Sequence, residues 1–343
     1  MSLRFIDGFD HYATADFAKK WTANDFCTIS AGNGRRGGSC MRHASYASFL
    51  TLTLDNQPTW IVGCAMRITA LPAANADVLW WRDGGTVQCA LSVQPGGLLA
   101  VYRGPGAAGG TLLGVSSVPL SVSTYTYIEL LLTIHSTLGA VTLRLNGSPV
   151  LTLTNINTQN TANAYASTLR LGNGGQTAAY TLGTQDVDDV YVCDGTGSAP
   201  HNTLLGDCKV DAMLPNGDTG TVQWTPSTGT VHFDMVNEPA PNITDYISSS
   251  TIGQSEAFQM QNIATTPSLI YGMQVSAAAL KSDAGARSIK VIVVSNLIEA
   301  ESPDFPLSTS QTYVRWIFLV DPNTGTPWTP LAVNGALGAV RCA

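Results

Sequence analysis

Apolar positions along the chain recur with a period of two. In AVTLRLN, Val141, Leu143 and Leu145 alternate with Thr142, Arg144 and Asn146. Successive side chains of a strand point to opposite faces, so the pattern predicts a strand with one apolar and one polar surface. Asn146-Gly147 supplies the two left-handed positions of a tight turn and makes LRLNGSPVLTL a hairpin. Comparable runs are SFLTLTLD (48–55), TWIVGCAMRITAL (59–71), DVLWWRDG (77–84), VQCALSVQ (87–94), GLLAVYRG (97–104) and YTYIELLLTIH (125–135). Strands at intervals of about ten residues, punctuated by Gly, Pro and Asn, describe a sandwich or jelly roll.

Helical periodicity is nearly absent. TADFAKK (14–20) has a threonine able to cap one or two turns, and SAAALKSDAGAR (276–287) is helix-compatible by propensity but short and broken by glycine. Near residue 195 the alternation stops, and CDGTGSAPHNT concentrates Gly, Ser, Pro and Asn as a hinge does. A second set of strands follows, including SLIYGMQVSAAAL (268–280), RSIKVIVVSN (287–296) and TYVRWIFLVD (312–321). The expected fold is therefore all-β, two linked β-sandwiches: a jelly roll over residues 1–197 and a smaller sandwich over 198–343. A chain of 343 residues is long enough for each to bury its own core.

Composition narrows the function classes. Charged residues make up 12%, about half the usual share, so the surface is built from Thr, Ser, Asn, Gln and Gly. The net charge of −7 and the lack of a basic run longer than Arg35-Arg36 argue against sequence-independent nucleic-acid binding. MSLRFIDGFDHY has no apolar run of signal-peptide length, and no segment approaches the roughly 18 to 20 apolar residues of a membrane span. Synthesis in the cytoplasm without membrane insertion is expected. The seven cysteines, at 27, 40, 64, 89, 193, 208 and 342, are odd in number and contain no C-x-x-C pair. They read as small buried hydrophobes, not as a zinc site or a disulfide framework.

Two resemblances appear once these strands are set in order. The opening FIDGFDHY, the central TYIELLLTIH and AVTLRLNG, and the closing VDDVYVCD resemble the concanavalin A-like or laminin-G-like jelly roll. That resemblance implies that the closing strand pairs near the opening one. Across the hinge, the succession of DDVYVCDGTGSAPHNTLLGD, LPNGDTGTVQWTPSTG, ITDYISSSTIGQ, IYGMQVSA, KSDAGARS and DPNTGTPWTPLAVNGALGAV is similar to structural proteins of tailed bacteriophages. It implies a virion component synthesised in the host cytoplasm, with other virion proteins as partners and homo-oligomerisation by analogy.

Candidate chemistry is sparse. A glycosidase needs two carboxyls about 5 to 9.5 Å apart, and none of the five glutamates, at 129, 238, 256, 299 and 301, stands in a paired-acid motif. Glu129 in YIELLLTIH reads as a solvated or hydrogen-bonded strand residue. Asp186 and Asp188, with Asp189 and with Asp7 and Asp10 if the end strands pair, form the candidate metal site, and calcium is the ion such oxygens suit. Adjacent Asp188 and Asp189 would point to opposite faces, and the other reading makes these aspartates caps of loop amides and guards of a sheet edge. NGRRGG (33–38) and RGPGAAGG (103–110) lack the ending of a phosphate loop and read as hairpin loops. Trp80, Trp81 and Arg82, with Tyr102 and Arg103 as neighbours, form the candidate patch for a carbohydrate or a protein partner, one tryptophan facing in and the other out. The leading expectation is a non-enzymatic decoration, collar or tail-associated virion protein, with no cofactor. A host-glycan-binding adhesin of a tail or head fibre is the alternative, and a depolymerase the third reading.

Overall fold

The computed structural model describes residues 2–43, 47–173 and 177–343. Contacts divide the chain into two compact units, Met1–Phe9 with Trp21–Val210, and Asp10–Lys20 with Asp211–Ala343. Both are all-β and built from antiparallel strands.

In the first unit, one sheet has the spatial order Ser148–Ile156, Gly139–Leu145, Thr126–Thr133, Thr59–Ile68, Gln185–Asp194, Ser39–His43 and Thr28–Ala31. Leu3–Asp7 also pairs with Gln185–Asp194, so the opening and closing strands meet as the jelly-roll resemblance implies. The second sheet runs Thr111–Pro119, Leu98–Arg103, Thr86–Val93, Ala76–Asp83, Ala166–Asn173, Ser48–Gln57 and Ala23–Asp25. Alternation places Leu50, Leu52, Leu79, Trp81, Leu91, Leu99, Val101, Leu169 and Leu171 inside, all nearly inaccessible. Opposite them the other sheet contributes Trp60, Val62, Leu130, Leu132, Leu143 and Val192. Trp60 stacks on Trp81 with centroids 4.7 Å apart, and its indole N–H donates to the carbonyl of Ala166 at 2.9 Å. Each large apolar side chain so buried contributes roughly 1.5–3 kcal/mol, and the two sheets form one jelly-roll sandwich. The Asn146-Gly147 turn has positive φ at both positions (48° and 79°), as its hairpin requires.

Residues 198–210 group with this first unit, although the sequence texture places a boundary at 197/198. The reason is a strap of hydrogen bonds to the outer surface of the eight-stranded sheet. The buried Tyr191 hydroxyl donates to Glu129 Oε1 at 2.6 Å and accepts from the Leu205 amide at 3.1 Å. Glu129 Oε1 also accepts from the Gly206 amide at 2.7 Å, and Asp189 Oδ1 from the Val210 amide at 2.9 Å.

The second unit has a sheet ordered Pro215–Val222, Ser255–Met260, Leu337–Cys342, Ser288–Ser295 and Ile298–Glu301, with Phe305–Pro306 also on Ser288–Ser295. A two-stranded ribbon, Met273–Ala279 with Thr312–Phe318, covers one face of it. Val314 packs on Ile289 and Val291, while Met273, Phe318 and Trp328 pack on Val293. The SAAA of the helix-compatible stretch is therefore strand, because pairing and burial outweigh alanine's preference for helix. A short helix, Pro330–Gly335, is the one that sequence periodicity did not reveal, and the Thr329 hydroxyl caps it by accepting from the Ala332 amide at 3.2 Å. TADFAKK gives one turn of 3-10 helix, Thr14–Asp16, and one of α-helix, Phe17–Lys20.

Candidate ligand-binding face

The outward surface of the seven-stranded sheet brings aromatic and cationic side chains together. Its register sets one row straight across six strands: Tyr102, Ala90, Trp80, Arg170, Thr51 and Ala23. All but Ala23 belong to strands whose alternate residues are core leucines or other buried apolar groups, so inward packing forces them outward. Two residues beyond Trp80, Arg82 faces the same way, opposite Thr168.

Four half-buried side chains form the open part of this face: Phe49, Trp80, Arg82 and Arg170. The Arg170 guanidinium lies 3.8 Å from the Phe49 ring centroid and 5.9 Å from that of Trp80. Phe49 and Trp80 are themselves 5.9 Å apart and tilted. Trp80 is fixed by its indole N–H, which donates to Asp77 Oδ2 at 2.8 Å. Asp77 also accepts from Ser92 and from the Ala107 amide, so one buried carboxylate holds both the tryptophan and the Gly-rich loop beside it. Burial raises the Asp77 pKa against the lowering effect of those donors.

The two arginines are under-compensated. Among the described residues neither forms an ion pair; Arg82 donates to the Gly85 carbonyl. Their Nε atoms and Thr51 Oγ1 are buried with no hydrogen-bond partner among the described residues. Burial lowers both arginine pKa values, and for Arg170 the charge of Arg82 adds to the lowering while Asp25 opposes it. Asp83, next to Arg82, is already engaged by the Thr161 hydroxyl at 2.8 Å and the Asn163 amide group at 2.9 Å. The 159–165 loop that supplies them is organised by buried Gln88, which accepts from the Asn160 and Thr161 amides and donates to the Asn163 and Tyr165 carbonyls.

The sequence-predicted patch is thus divided. Trp80 and Arg82 share the open face. Trp81 is wholly buried against Trp60 and belongs to the core. Tyr102 shares the row of Trp80 but is only 6% exposed, with its hydroxyl accepting from Asn75 Nδ2 at 2.7 Å. Arg103 has the opposite parity and donates to Thr111 Oγ1 at 3.1 Å on the edge strand. Phe49 and Arg170 were missed; their signal was an aromatic and a cation out of phase with Leu50, Leu52, Leu169 and Leu171.

The aspartates serve other ends. Asp186 is fully buried and held by two guanidiniums: Oδ1 accepts from Arg42 Nε at 2.7 Å, and Oδ2 from Arg42 Nη2 at 3.1 Å and Arg67 Nε at 3.0 Å. Asp188 Oδ2 accepts from the Arg35 amide at 2.7 Å, and its Oδ1 from the Asp189 amide at 2.8 Å. A β-bulge between Asp188 and Tyr191, with Asp189 at φ 51°, re-aims the chain. The Asp189 carboxylate, expected on the face opposite Asp188, consequently lies 3.6 Å from the guanidinium of the same Arg35. Among the described residues no group of three His, Cys, Asp or Glu side chains converges to hold a metal ion. In the second unit, Glu256 is likewise occupied, by His232 Nδ1 at 2.8 Å and by the amides of Gln223 and Trp224.

No family model and no curated protein matches the chain. Among solved structures it is similar to "Cellulose induced protein, Cip1", at 15% identity over 60% of this chain and 100% of that one, with a TM-score of 0.44. It is also similar to alginate lyase Aly36B, at 11% identity over 55% of this chain and 96% of that one, TM-score 0.39. A third is the carbohydrate binding module CBM66 from Bacillus subtilis, at 11% identity over 50% of this chain and 94% of that one, TM-score 0.35.

Proposed function

We propose that the chain is a non-enzymatic attachment protein whose first unit binds a glycan through the open face of its seven-stranded sheet. The observation that carries this reading is the cluster of half-buried Phe49, Trp80, Arg82 and Arg170 on the outward face of the sheet. Sugar rings stack on aromatic faces through their C–H groups, and fixed donors beside such a ring read the hydroxyls. The rigidity of Trp80, pinned by Asp77, lowers the ordering cost of binding. Buried Asp186 and Glu256 are held by structural donors, which favours binding over hydrolysis. The virion setting rests on the order of short motifs over residues 188–343 and remains part of the proposal, with a host surface glycan as ligand.

Docking on other virion proteins is the complementary reading, and a specific feature favours it. The second unit exposes Leu297 (90%), Leu331 (84%), Ile252 (79%) and Ile243 (69%), a series of large apolar side chains in contact with water. Such groups are covered when proteins assemble. One unit would then hold the particle while the other presents its sheet. A glycan array probed with the intact protein tests the first role, and Trp80→Ala should abolish its hits. Binding that survives this substitution would remove the face from consideration. Detection of the chain in purified particles tests the second role.

A further inference from the structure

If the face binds a glycan as proposed above, its charge sets the chemical class of that ligand. Two guanidiniums on one face, diagonal neighbours across adjacent strands, repel each other and have no carboxylate partner among the described residues. Diagonal neighbours on a sheet face are about 7–8 Å apart at the backbone, within reach of long side chains. Two arginines brought together without a counter-ion are each partly stripped of water, and here the ring contacts of Arg170 and the Gly85 carbonyl on Arg82 offset that loss without neutralising either charge. Here the desolvation is real: among the described residues both buried Nε atoms find no acceptor, and the neighbouring Thr51 hydroxyl finds no partner. The acids that could have answered them are used elsewhere. Asp77 is tied to Ser92, Trp80 and Ala107, and Asp83 to Thr161 and Asn163. Asp25 alone acts on Arg170 at a distance, without an ion pair. The face therefore carries unspent positive charge in a chain whose net charge is −7.

We propose that this face selects glycans bearing carboxylates, Arg170 and Arg82 receiving the acid group while Trp80 carries the sugar ring. A guanidinium presents parallel donors that match the two oxygens of a carboxylate, and such charge-assisted pairs are stronger than neutral hydrogen bonds. Arg170 is held in place by its stacking on Phe49, so the donor fork is oriented before the ligand arrives. An acidic protein surface would satisfy the charges but would leave the flat Trp80 face without a matched partner, so the saccharide is the occupant favoured.

The test uses the full chain and three probes: an oligouronate, the same oligosaccharide after carboxyl reduction, and dextran sulfate. Titration calorimetry should show the oligouronate bound at least about tenfold more tightly than its reduced form. The double substitution Arg82→Gln with Arg170→Gln should erase that preference, so that the charged and reduced forms bind with the same, weakened affinity. Arg170→Lys, which keeps the charge but not the fork, should lose most of the preference. Melting curves of each variant report whether the fold is intact. Equal affinity for the charged and reduced saccharides would overturn the acid selectivity and leave glycan binding standing. No binding of either saccharide would overturn both. Retention of dextran sulfate alone, unaffected by the arginine changes, would mark diffuse charge attraction and likewise overturn the proposal.

Discussion

Trp80 and Trp81 are neighbours in sequence with opposite fates, decided by strand alternation alone. Trp81 fills the space between the sheets against Trp60, so Trp81→Ala should destabilise the first unit by roughly 3–5 kcal/mol, read from urea unfolding. Trp80→Ala loses one hydrogen bond and partial burial, and should cost only about 1 kcal/mol while removing ligand binding. A larger stability loss for Trp80 than for Trp81 would contradict the inward and outward assignment. His43 offers a second residue-scale test. Burial holds its pKa down to about 4, and its Nδ1 lies 3.5 Å from the thiol of buried Cys27. An unfolded histidine titrates near ~6.5, so between that pH and about 4 the unfolded chain binds a proton that the folded chain refuses. The stability contributed by neutral His43 is complete above pH ~6.5 and is lost as pH falls through this window, by an amount on the order of 3 kcal/mol. Asp77 and Asp189, whose pKa values burial raises, act with the opposite sign at the acid end. Replacing His43 by Gln should flatten the fall in stability between pH 6.5 and 4. A slope unchanged by the substitution would assign the effect to other groups.

At the scale of elements, the strap over residues 198–210 hangs on a few polar contacts. Tyr191→Phe removes the donor to Glu129 and the acceptor for the Leu205 amide, and should cost about 1–2 kcal/mol. Hydrogen exchange should then accelerate at Leu205 and Gly206 before the strands beneath are affected. The Asp186 clamp gives a complementary expectation. Because guanidinium donors occupy its carboxylate, adding calcium or a chelator should leave the melting temperature unchanged, and a calcium-dependent rise would revive the metal reading. Most strands were legible because alternation records which face is buried, and Asn146-Gly147 fixed a hairpin without further context. What was not legible depends on partners distant in sequence. Leu337–Cys342 is central in its sheet, yet LGAVRC carries no alternation, its neighbours on both sides supplying the pairing. The bulge at Asp189 is equally silent, since a left-handed aspartate leaves no signature in a strand of ten residues. Arg170 and Phe49 were visible as out-of-phase residues, but their meeting requires the register of two strands more than a hundred positions apart.

At the scale of the whole molecule, the chain assigns residues 10–20 to the unit built from its C-terminal half. Tyr12 and Phe17 are almost fully buried, and the Tyr12 ring lies 6.1 Å from that of Tyr313. The Tyr313 hydroxyl donates to the His11 carbonyl at 3.1 Å, Arg315 to the Lys20 carbonyl at 3.1 Å, and Lys19 Nζ to Gln311 Oε1 at 2.6 Å. Contacts spanning about three hundred residues carry a loop-closure cost that falls once the intervening chain is ordered. A fragment of residues 211–343 would leave Tyr313 and the Thr312–Phe318 strand without this cover. Its thermal midpoint should therefore be lower than that of the same unit in the full chain, with apolar surface newly open to dye binding. A synthetic peptide of residues 10–20 added in trans should raise the midpoint in a concentration-dependent way, as any ligand of the folded state does. Replacing Tyr12 and Phe17 of the peptide by Ala should cancel the rise, because those rings supply the buried area. A fragment as stable alone as in the full chain would mean that residues 10–20 decorate the second unit without completing it, and the cooperative link between the two ends of the sequence would then have to be abandoned.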